Sequence, residues 1–241
     1  MLTMDVLDFT QDAQAIGDAD QLIERLLRET RKVGLDFVAV SGGYAANGPS
    51  EDQMIHTGLP QDWTNYYFDQ GYVRLDPAYK RSLGSLLPFQ WTDVTDLPTL
   101  TRPERLVMDE ADAAGLKNGI VVPIHGPKNY AGFVSLAGQP DRFAPQVPLD
   151  LQVMAIHFHH RLRDLLKEAG RPRQDGPMLT PREAECLVWL AEGKSDWEIG
   201  EILTVSHHTV KTHVERIKRK FGVRTRVQAV VEAIRTGQID P

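Results

Sequence analysis

Four helix starts between residues 178 and 236 constrain the fold of this chain more than any other feature of its sequence. The clearest is TPRE, in which Thr180 caps the helix, Pro181 fits its first turn and Glu183 can reach back to the cap amide. Gly193 ends this helix. The others begin at polar caps or at a change to an apolar pattern: at Ser195 or Asp196, at Ser206 and near residue 225. The segment therefore predicts an all-α, four-helix domain.

The apolar spacing within these helices predicts which residues face the core of that domain. They are Leu187, Leu190 and Ala191 in the first helix, Trp197, Ile199, Ile202 and Leu203 in the second, Val210, Val214, Ile217 and Phe221 in the third, and Ala229, Val230 and Ile234 in the fourth. The single cysteine, Cys186, is expected to be a small core residue.

The third helix, HHTVKTHVERIKRKF, turns a polar row outward. This row consists of Thr209, Lys211, Thr212, Glu215 and Lys218. Donors, one acceptor and flanking cations are what a helix in the DNA major groove needs. The alternative is a solvated face, which is the commoner role of an isolated lysine-rich amphipathic helix.

Charge is distributed unevenly along the chain. Residues 1–170 carry 15 Lys and Arg against 23 Asp and Glu, whereas residues 171–241 carry 12 against 10. Within 206–226, seven basic residues accompany Glu215 alone, a concentration suited to phosphate binding. GRPRQDGP, residues 170–177, is typical of a linker. We therefore expect one domain over residues 1–169 and a second over 178–241.

The first domain is predicted to be α+β. Helical patterns cover about 10–34, 60–71, 77–85, 101–115 and 148–168, and strand patterns cover 36–42, 53–57, 119–126 and 130–138. The last two strands are joined by PKN, which indicates a hairpin. Hairpins flanked by helices predict an antiparallel sheet covered on both faces, an α-β-α sandwich, and argue against the regular parallel alternation of a receiver domain.

Aromatic residues are concentrated in DWTNYYFDQGYVRLDP, residues 61–76. Trp63 and Tyr67 stand at i and i+4, so both rings project from one helix face and can share a pocket. Their N–H and O–H groups suit a ligand that carries carbonyl oxygens. Asp76 precedes Pro77, so its alternative role is to cap the helix that begins there.

Two family resemblances follow from these segments. LTPREAECLVWLAEGKSDWEIGEIL with VSHHTVKTHVERIKRKFGVRTRVQAV resembles the LuxR family DNA-binding domain, a helix-turn-helix. The resemblance implies base contacts by Lys211, Thr212 and Glu215, and phosphate or supporting contacts by Thr209, His213, Arg216 and Lys218. Glu215 has an equally supported alternative, a salt bridge to Arg219 at i+4.

The longer segment LPQDWTNYYFDQGYVRLDPAYKRSLGSLLPFQW, with AGLKNGIVVPIHGP and GFVSLAG, resembles the acyl-homoserine-lactone-binding domain of LuxR-type quorum-sensing regulators. The resemblance implies that Trp63 donates to the lactone carbonyl, that Asp76 accepts the amide N–H and that Trp91 packs on the ring. Tyr67 and Ser135 would donate to the acyl carbonyl. Leu59 stands where many members have tyrosine, which widens the expected ligands to short, branched or aryl chains.

The resemblance also predicts a quorum-sensing transcription factor that binds an inverted-repeat operator as a homodimer, with RNA polymerase as a further partner. The helix at 148–168 and the final helix are the expected dimer contacts. The alternatives are an orphan regulator that senses another hydrophobic molecule and a lactone-cleaving enzyme. For the enzyme, the candidate metal ligands are His157, His159 and His160, but their segment is typical of an amphipathic helix. We expect no metal, cofactor or catalytic residue, no membrane segment and a cytoplasmic location.

Overall fold

The computed structural model describes residues 4–44, 54–126, 130–140, 143–169, 178–236 and 238–239. It divides into two compact units, one containing a five-stranded sheet and the other containing the four C-terminal helices. The expected linker, residues 170–177, and the expected hairpin turn, residues 127–129, lie outside the described residues. The α+β class and the all-α C-terminal domain are both confirmed.

The first unit contains seven α-helices and five strands in its described part. The helices are α1 Val6–Ala15, α2 Ala19–Thr30, α3 Gln61–Asp69, α4 Pro77–Ser82, α5 Thr92–Thr95, α6 Arg102–Ala113 and α7 Val147–Glu168. The strands are β1 Leu35–Tyr44, β2 Met54–Thr57, β3 Phe89–Gln90, β4 Asn118–Gly126 and β5 Tyr130–Gly138.

The expectation of one helix over about 10–34 is wrong. Ile16 takes an extended conformation, and Asp18 begins α2 by accepting a hydrogen bond from the backbone N–H of Gln21 at 2.9 Å. The chain reverses there, so buried Arg25 on α2 reaches Asp12 on α1 at 2.7 Å. The apolar pattern runs through this break because both helices bury a face in the same core.

The sheet has the order β2-β1-β5-β4-β3. Ala39 pairs with Thr57 across the antiparallel β1–β2 pair, and Phe89 pairs with Val121 across β3–β4. Both sheet faces are covered, since consecutive residues, whose side chains alternate in direction, are buried over 38–42 on β1 and 118–124 on β4. Helix α7 packs on α1 and α2, and His159 on α7 contacts the carbonyl oxygen of Ser41 on β1 at 3.3 Å.

Close glycine contacts show the direction of the central strands. A Cβ on Gly132 would lie 2.4 Å from the Ser41 oxygen, and one on Gly138 would lie 2.1 Å from the Gly34 oxygen, so β1 and β5 run antiparallel. Strand β5 thus lies between β1, which carries the Ala39–Thr57 pair, and β4, which carries the Phe89–Val121 pair.

The second unit consists of α8 Pro181–Ala191, α9 Asp196–Leu203, α10 His207–Phe221 and α11 Arg226–Arg235. Thr180 and Ser195 both form reciprocal capping boxes, so Ser195 rather than Asp196 begins α9. Cys186 is fully buried, as predicted, and Val210, Val214 and Ile217 form the core-facing stripe of α10.

Three of the residues predicted to face the core of this domain are exposed, and these predictions are wrong: Ala191, Trp197 and Ile202. Trp197 is 65% exposed. Ala191 is the last residue of α8. For the two residues of α9, the reason lies in the tight turn that follows this helix, because a Cβ on Gly200 would lie 2.8 Å from the Val205 oxygen. This contact turns Ile199, Gly200 and Leu203 inward, and the other two apolar residues of α9 flank that stripe.

Candidate ligand pocket and DNA-binding surface

A pocket lies between the sheet and helices α3, α4 and α6. Its empty volume is about 760 Å³ when the solvent-filled space at its opening is included. We call it the sheet pocket. All six residues that the sequence assigned to ligand binding line it: Leu59, Trp63, Tyr67, Asp76, Trp91 and Ser135. The structure therefore brings together side chains that are separated by up to 76 positions in the chain.

Asp76 accepts three hydrogen bonds at the polar end of the sheet pocket. Its Oδ1 accepts hydrogen bonds from the backbone N–H groups of Ala78 at 2.8 Å and Tyr79 at 3.1 Å, so it caps α4. Its Oδ2 accepts a hydrogen bond from the phenol O–H of Tyr67 at 2.9 Å. The cap and the pocket are therefore two roles of one carboxylate, because each uses a different oxygen.

Burial changes the acid–base behaviour of this pair. Desolvation raises the pKa of Asp76 above its usual range, although hydrogen bonds from Tyr79 and Tyr67 oppose the rise. Burial, with the charge of Asp76 second, raises the pKa of Tyr67 well above its usual value. The phenol therefore keeps its proton at neutral pH.

Trp91 supplies an indole N–H that is buried and has no acceptor within the described residues. Its ring edge lies against Gly119, where an added Cβ would meet Trp91 Cε2 at 2.7 Å and Nε1 at 2.9 Å. A buried donor without a partner is unfavourable unless a ligand or an ordered water accepts from it. Trp91 can thus donate a hydrogen bond as well as offer a ring face.

The structure adds lining residues that the sequence had not indicated. Most are apolar: Ala39, Met54, Phe68, Ala78, Val107, Met108, Ala111, Leu116, Val121 and Phe133. Three are polar: Thr57, Thr64 and Tyr79. Phe68 belongs to the aromatic-rich stretch of residues 61–76 and Tyr79 lies three residues after it, so their proximity to Trp63 in the sequence was an available signal. Thr57 carried no such signal, because its position depends on the pairing of β2 with β1.

The three histidines of α7 lie in different environments. His159 is fully buried and bonded to Ser41, whereas His157 and His160 are exposed. Within the described part of the chain, no group of three His, Cys, Asp or Glu residues could hold a metal ion. Burial, as the largest cause, lowers the pKa of His159 to about 3, so its imidazole is neutral in the folded protein.

Helix α10 presents the second candidate surface. Ser206 caps it by accepting from the Thr209 backbone N–H at 3.1 Å. Lys211, Thr212 and Glu215 are exposed, as expected for base contact. Thr209, Thr212, His213 and Arg216 also line a shallow polar cleft with His208.

Two local contacts on α10 modify the expected roles. Glu215 pairs with Lys218 at 2.8 Å, at i+3, rather than with Arg219 at i+4. The hydroxyl of Thr212 donates to the His208 carbonyl at 2.9 Å, so an accepting lone pair remains for DNA. Both contacts lie on the solvent side and can exchange for contacts with a nucleic acid at small cost.

The C-terminal end of α10 is anchored to α8. Lys220 Nζ donates to Glu183 Oε2 at 2.7 Å and to the Met178 carbonyl at 3.0 Å. Glu183 is almost completely buried and also serves the Thr180 capping box. This anchor explains why Lys220, although basic, is not part of the exposed polar row.

A small-molecule pocket in an α+β unit and a helix-turn-helix with an exposed polar row define a ligand-binding transcription regulator. Comparison with known families agrees: residues 18–162 match the autoinducer binding domain and residues 177–233 match the bacterial regulatory proteins of the luxR family. The chain belongs to this family of LuxR-type transcription regulators and is not an enzyme.

The chain is similar to named transcription regulators over most of its length. The chain is 31% identical to the transcriptional activator VanR of Vibrio anguillarum over 98% of each chain. It is 30% identical to the transcriptional activator BjaR1 of Bradyrhizobium diazoefficiens over 98% of this chain and 97% of that one. Its identity to LuxR of Aliivibrio fischeri is 32%, over 78% and 76% of the two chains.

The fold matches that of a solved relative. The crystal structure of Escherichia coli SdiA superposes with a TM-score of 0.76 over 98% of this chain and 100% of that one, at 21% identity. SdiA has also been solved in complex with octanoyl-rac-glycerol, with a TM-score of 0.74, 20% identity and coverage of 98% and 97%. In this chain, none of the described helices is long and apolar enough to cross a membrane.

Proposed function

We propose that this protein is a quorum-sensing transcription factor that binds an N-acyl-homoserine lactone in the sheet pocket. The observation that carries the proposal is the convergence of Trp63, Tyr67, Asp76, Trp91 and Ser135 on one pocket whose remaining wall is mainly apolar. A pocket with a few convergent polar groups and an apolar slot orients an amphipathic ligand and selects its chain. A lactone with an amide and an acyl chain has that chemistry.

Each polar group has a complementary atom on such a ligand. Asp76 Oδ2 has a lone pair left for the amide N–H, since within the described residues it accepts only from Tyr67. Trp63 donates to the lactone carbonyl and Ser135 to the acyl carbonyl. Tyr67 can donate to the same acyl carbonyl when its hydroxyl hydrogen turns away from Asp76. The N–H of Trp91, besides the ring face expected from the sequence, offers one further donor to the lactone.

Leu59 widens the choice of acyl chain. It lines the sheet pocket with an apolar side chain where many relatives offer a tyrosine hydroxyl. The candidate substituents on the lactone therefore include short, branched and aryl chains.

The second half of the proposal concerns DNA. Lys211, Thr212 and Glu215 read base edges in the major groove, and Thr209, His213, Arg216 and Lys218 contact phosphates or support the helix. The exposure of Lys211 and its lack of an ion pair within the described residues support direct base readout.

We further propose a homodimer on an inverted-repeat operator, because helix-turn-helix dimers read two half-sites related by symmetry. On α7, Leu149, Val153 and Ile156 form an exposed apolar stripe at i, i+4 and i+7, and Val227 and Val231 do the same at i and i+4 on α11. A second copy of the chain would cover both stripes. Ligand binding favours the folded sensor and hence the dimer.

The domain limits that accompany this proposal are residues 1–169 for the lactone-binding domain, 170–177 for the linker and 178–241 for the DNA-binding domain. We propose a cytoplasmic location, no cofactor besides the lactone, and RNA polymerase as a further partner. Each unit has its own core, as separate domains require.

Thermal unfolding of the purified full-length protein with a panel of acyl- and aryl-homoserine lactones tests the proposal. At least one lactone should raise the Tm and the affinity for an inverted-repeat operator. Unchanged Tm with every lactone, together with ligand-independent operator binding, would instead indicate an orphan regulator. Intact recovery of the lactone is expected, since the chain is not an enzyme.

A further inference from the structure

His208 lies on the exposed face of α10 and has no role in the DNA contacts proposed above. It precedes Thr212 by four residues and Glu215 by seven, so the three side chains form one line along the helix. All three are exposed. Since Thr212 and Glu215 are proposed to read bases, this line extends the base-reading face to the first turn of α10.

The first turn is a favourable position for contact with bases. In a helix-turn-helix, the N-terminal residues of the recognition helix contact base edges in the major groove. His208 is the second residue of α10, directly after His207 and the cap residue Ser206. The Thr212 hydroxyl donates to the His208 carbonyl at 2.9 Å, so the two residues stand one turn apart in regular helix. His208 therefore has the position of a base-reading residue.

A neighbouring ring orients the imidazole of His208. The rings of His207 and His208 stack, with centroids 5.0 Å apart and an interplanar angle of 20°. Stacking restricts rotation of the ring, so less conformational entropy is lost when it binds a base. An imidazole offers an N–H donor, and guanine presents N7 and O6 as acceptors in the major groove. The ring is therefore suited to donate to a guanine.

The charges around His208 are mainly positive. It lines the shallow polar cleft of α10 with four other residues: Thr209, Thr212, His213 and Arg216. No carboxylate, and no residue of α8, α9 or α11, is among the described residues that line this cleft. Glu215 lies outside the cleft and pairs with Lys218 at 2.8 Å. Negative charge at this cleft must therefore come from the DNA.

A DNA duplex supplies that charge. Its phosphates are closely spaced, and a nearby negative charge favours the protonated form of an imidazole. Histidine is the side chain whose charge ordinarily changes between about pH 5 and 8. DNA can therefore draw a proton onto His208, and the protonated ring donates a charge-assisted hydrogen bond, which is stronger than a neutral one.

We propose that His208 reads a guanine of the operator as an imidazolium, so that operator binding takes up a proton. The ring donates to N7 or O6 of that guanine in the major groove. Because the complex binds one more proton than the free partners, operator affinity increases as the pH falls. This inference rests on the proposed major-groove role of α10 and adds one base-reading residue and a pH dependence to it.

Binding titrations of the full-length protein test the base contact. The probe is a duplex that the protein selects from a randomised inverted-repeat library, together with variants in which each guanine in turn is replaced. Replacement of the guanine that His208 reads should weaken wild-type binding about three- to tenfold, which corresponds to one hydrogen bond. The same replacement should leave the affinity of His208→Ala unchanged.

Titrations of the selected duplex at pH 8.0 and at pH 6.5 provide the second measurement. Wild-type affinity should be about three- to tenfold higher at the lower pH. His208→Gln keeps an uncharged donor and should lose most of this increase. The matched control is His125→Gln, at an exposed histidine on β4 of the first unit, which should keep both the increase and the base discrimination.

Uniform weakening of all duplexes by His208→Ala would assign this residue to a phosphate and overturn the inference. An increase at low pH that His208→Gln retains in full also overturns it. His208 is exposed, so both variants should fold, which circular dichroism verifies. Discrimination that is lost in Lys211→Ala but kept in His208→Ala removes the role of His208 alone. If neither variant changes discrimination, the proposed major-groove role of α10 itself fails.

Discussion

Tyr67 donates a hydrogen bond from its phenol O–H to Asp76 Oδ2 at 2.9 Å, while the other oxygen of the same carboxylate caps α4. The ligand contact and the local fold are therefore linked through one side chain. Substitutions that preserve one oxygen and change the other can separate the two roles.

Asp76→Asn should keep the α4 cap, because asparagine is also a good capping residue, and should lose the acceptor for the ligand amide. We expect lactone affinity to fall at least tenfold while the free energy of unfolding changes by about 1 kcal/mol or less. Isothermal titration and chemical unfolding measure the two effects separately.

Asp76→Ala removes both roles and should cost about 1 kcal/mol more stability than Asp76→Asn. The matched control is Asp18→Ala, which removes the cap of α2 at a site outside the sheet pocket. It should lower stability by a similar amount and leave lactone affinity unchanged. Wild-type lactone affinity in Asp76→Asn would contradict the proposed amide contact.

A second prediction concerns the wall behind Trp91. An added Cβ at Gly119 would meet the Leu136 oxygen at 2.6 Å and Trp91 Cε2 at 2.7 Å. Gly119→Ala should therefore destabilise the fold by about 1–3 kcal/mol and displace the indole, with loss of lactone binding. Tryptophan fluorescence and thermal unfolding report the two effects.

Gly17→Ala is the matched control, because nothing lies within 4 Å of its added Cβ and its φ angle is not in the left-handed region. It should be neutral or stabilising by about 0.4–1 kcal/mol, through the lower entropy of the unfolded chain. Equal stability of the two variants would show that the close contact at Gly119 relaxes without strain.

These contacts indicate how far the sequence alone could reach. Caps such as Thr180 and Ser206 are local signals, so helix starts in the second unit were predicted correctly. The buried side of α9 was predicted incorrectly, because it depends on the close approach of Gly200 to Val205, which is a tertiary contact. The resemblance named Trp63, Tyr67 and Asp76, whereas Thr57 enters the pocket only through a strand register that no periodicity encodes.

Short elements were also missed for physical reasons. Strand β3, Phe89–Gln90, has two residues, and helix α5, Thr92–Thr95, has four, so neither is long enough to show a hydrophobic period. Between them stands Trp91, whose backbone N–H bonds to the Gly119 carbonyl at 3.0 Å. Its position therefore depends on β4 rather than on its own neighbours in the sequence.

A third prediction is acid instability from His159. Its pKa of about 3 in the folded protein lies below the ordinary 6.5, so the unfolded chain binds more protons between these values. The stabilisation from this group is complete above pH 6.5 and is lost progressively as the pH falls towards 3, by up to roughly 4 kcal/mol. Urea unfolding across this range should show the slope.

His159→Gln should remove that slope, because glutamine does not titrate and its amide can still donate to the Ser41 carbonyl. His160→Gln, one residue along α7 and exposed, should keep the wild-type slope. If the two variants lose stability in parallel on acidification, groups other than His159 cause the effect.

The fourth prediction separates base reading from phosphate binding on α10. Lys211 is exposed, and its cationic head suits the guanine O6 and N7 acceptors. Lys211→Ala should lower operator affinity and also relax discrimination at one base pair, by about 1–3 kcal/mol. Arg216 is also exposed, and Arg216→Ala should weaken binding to all sequences alike and reduce the slope of log K against log salt by about one.

Binding titrations on a set of single-base operator variants at several salt concentrations distinguish the two roles. If Lys211→Ala changes only the salt slope, Lys211 does not read a base, because a pure phosphate contact carries no sequence information.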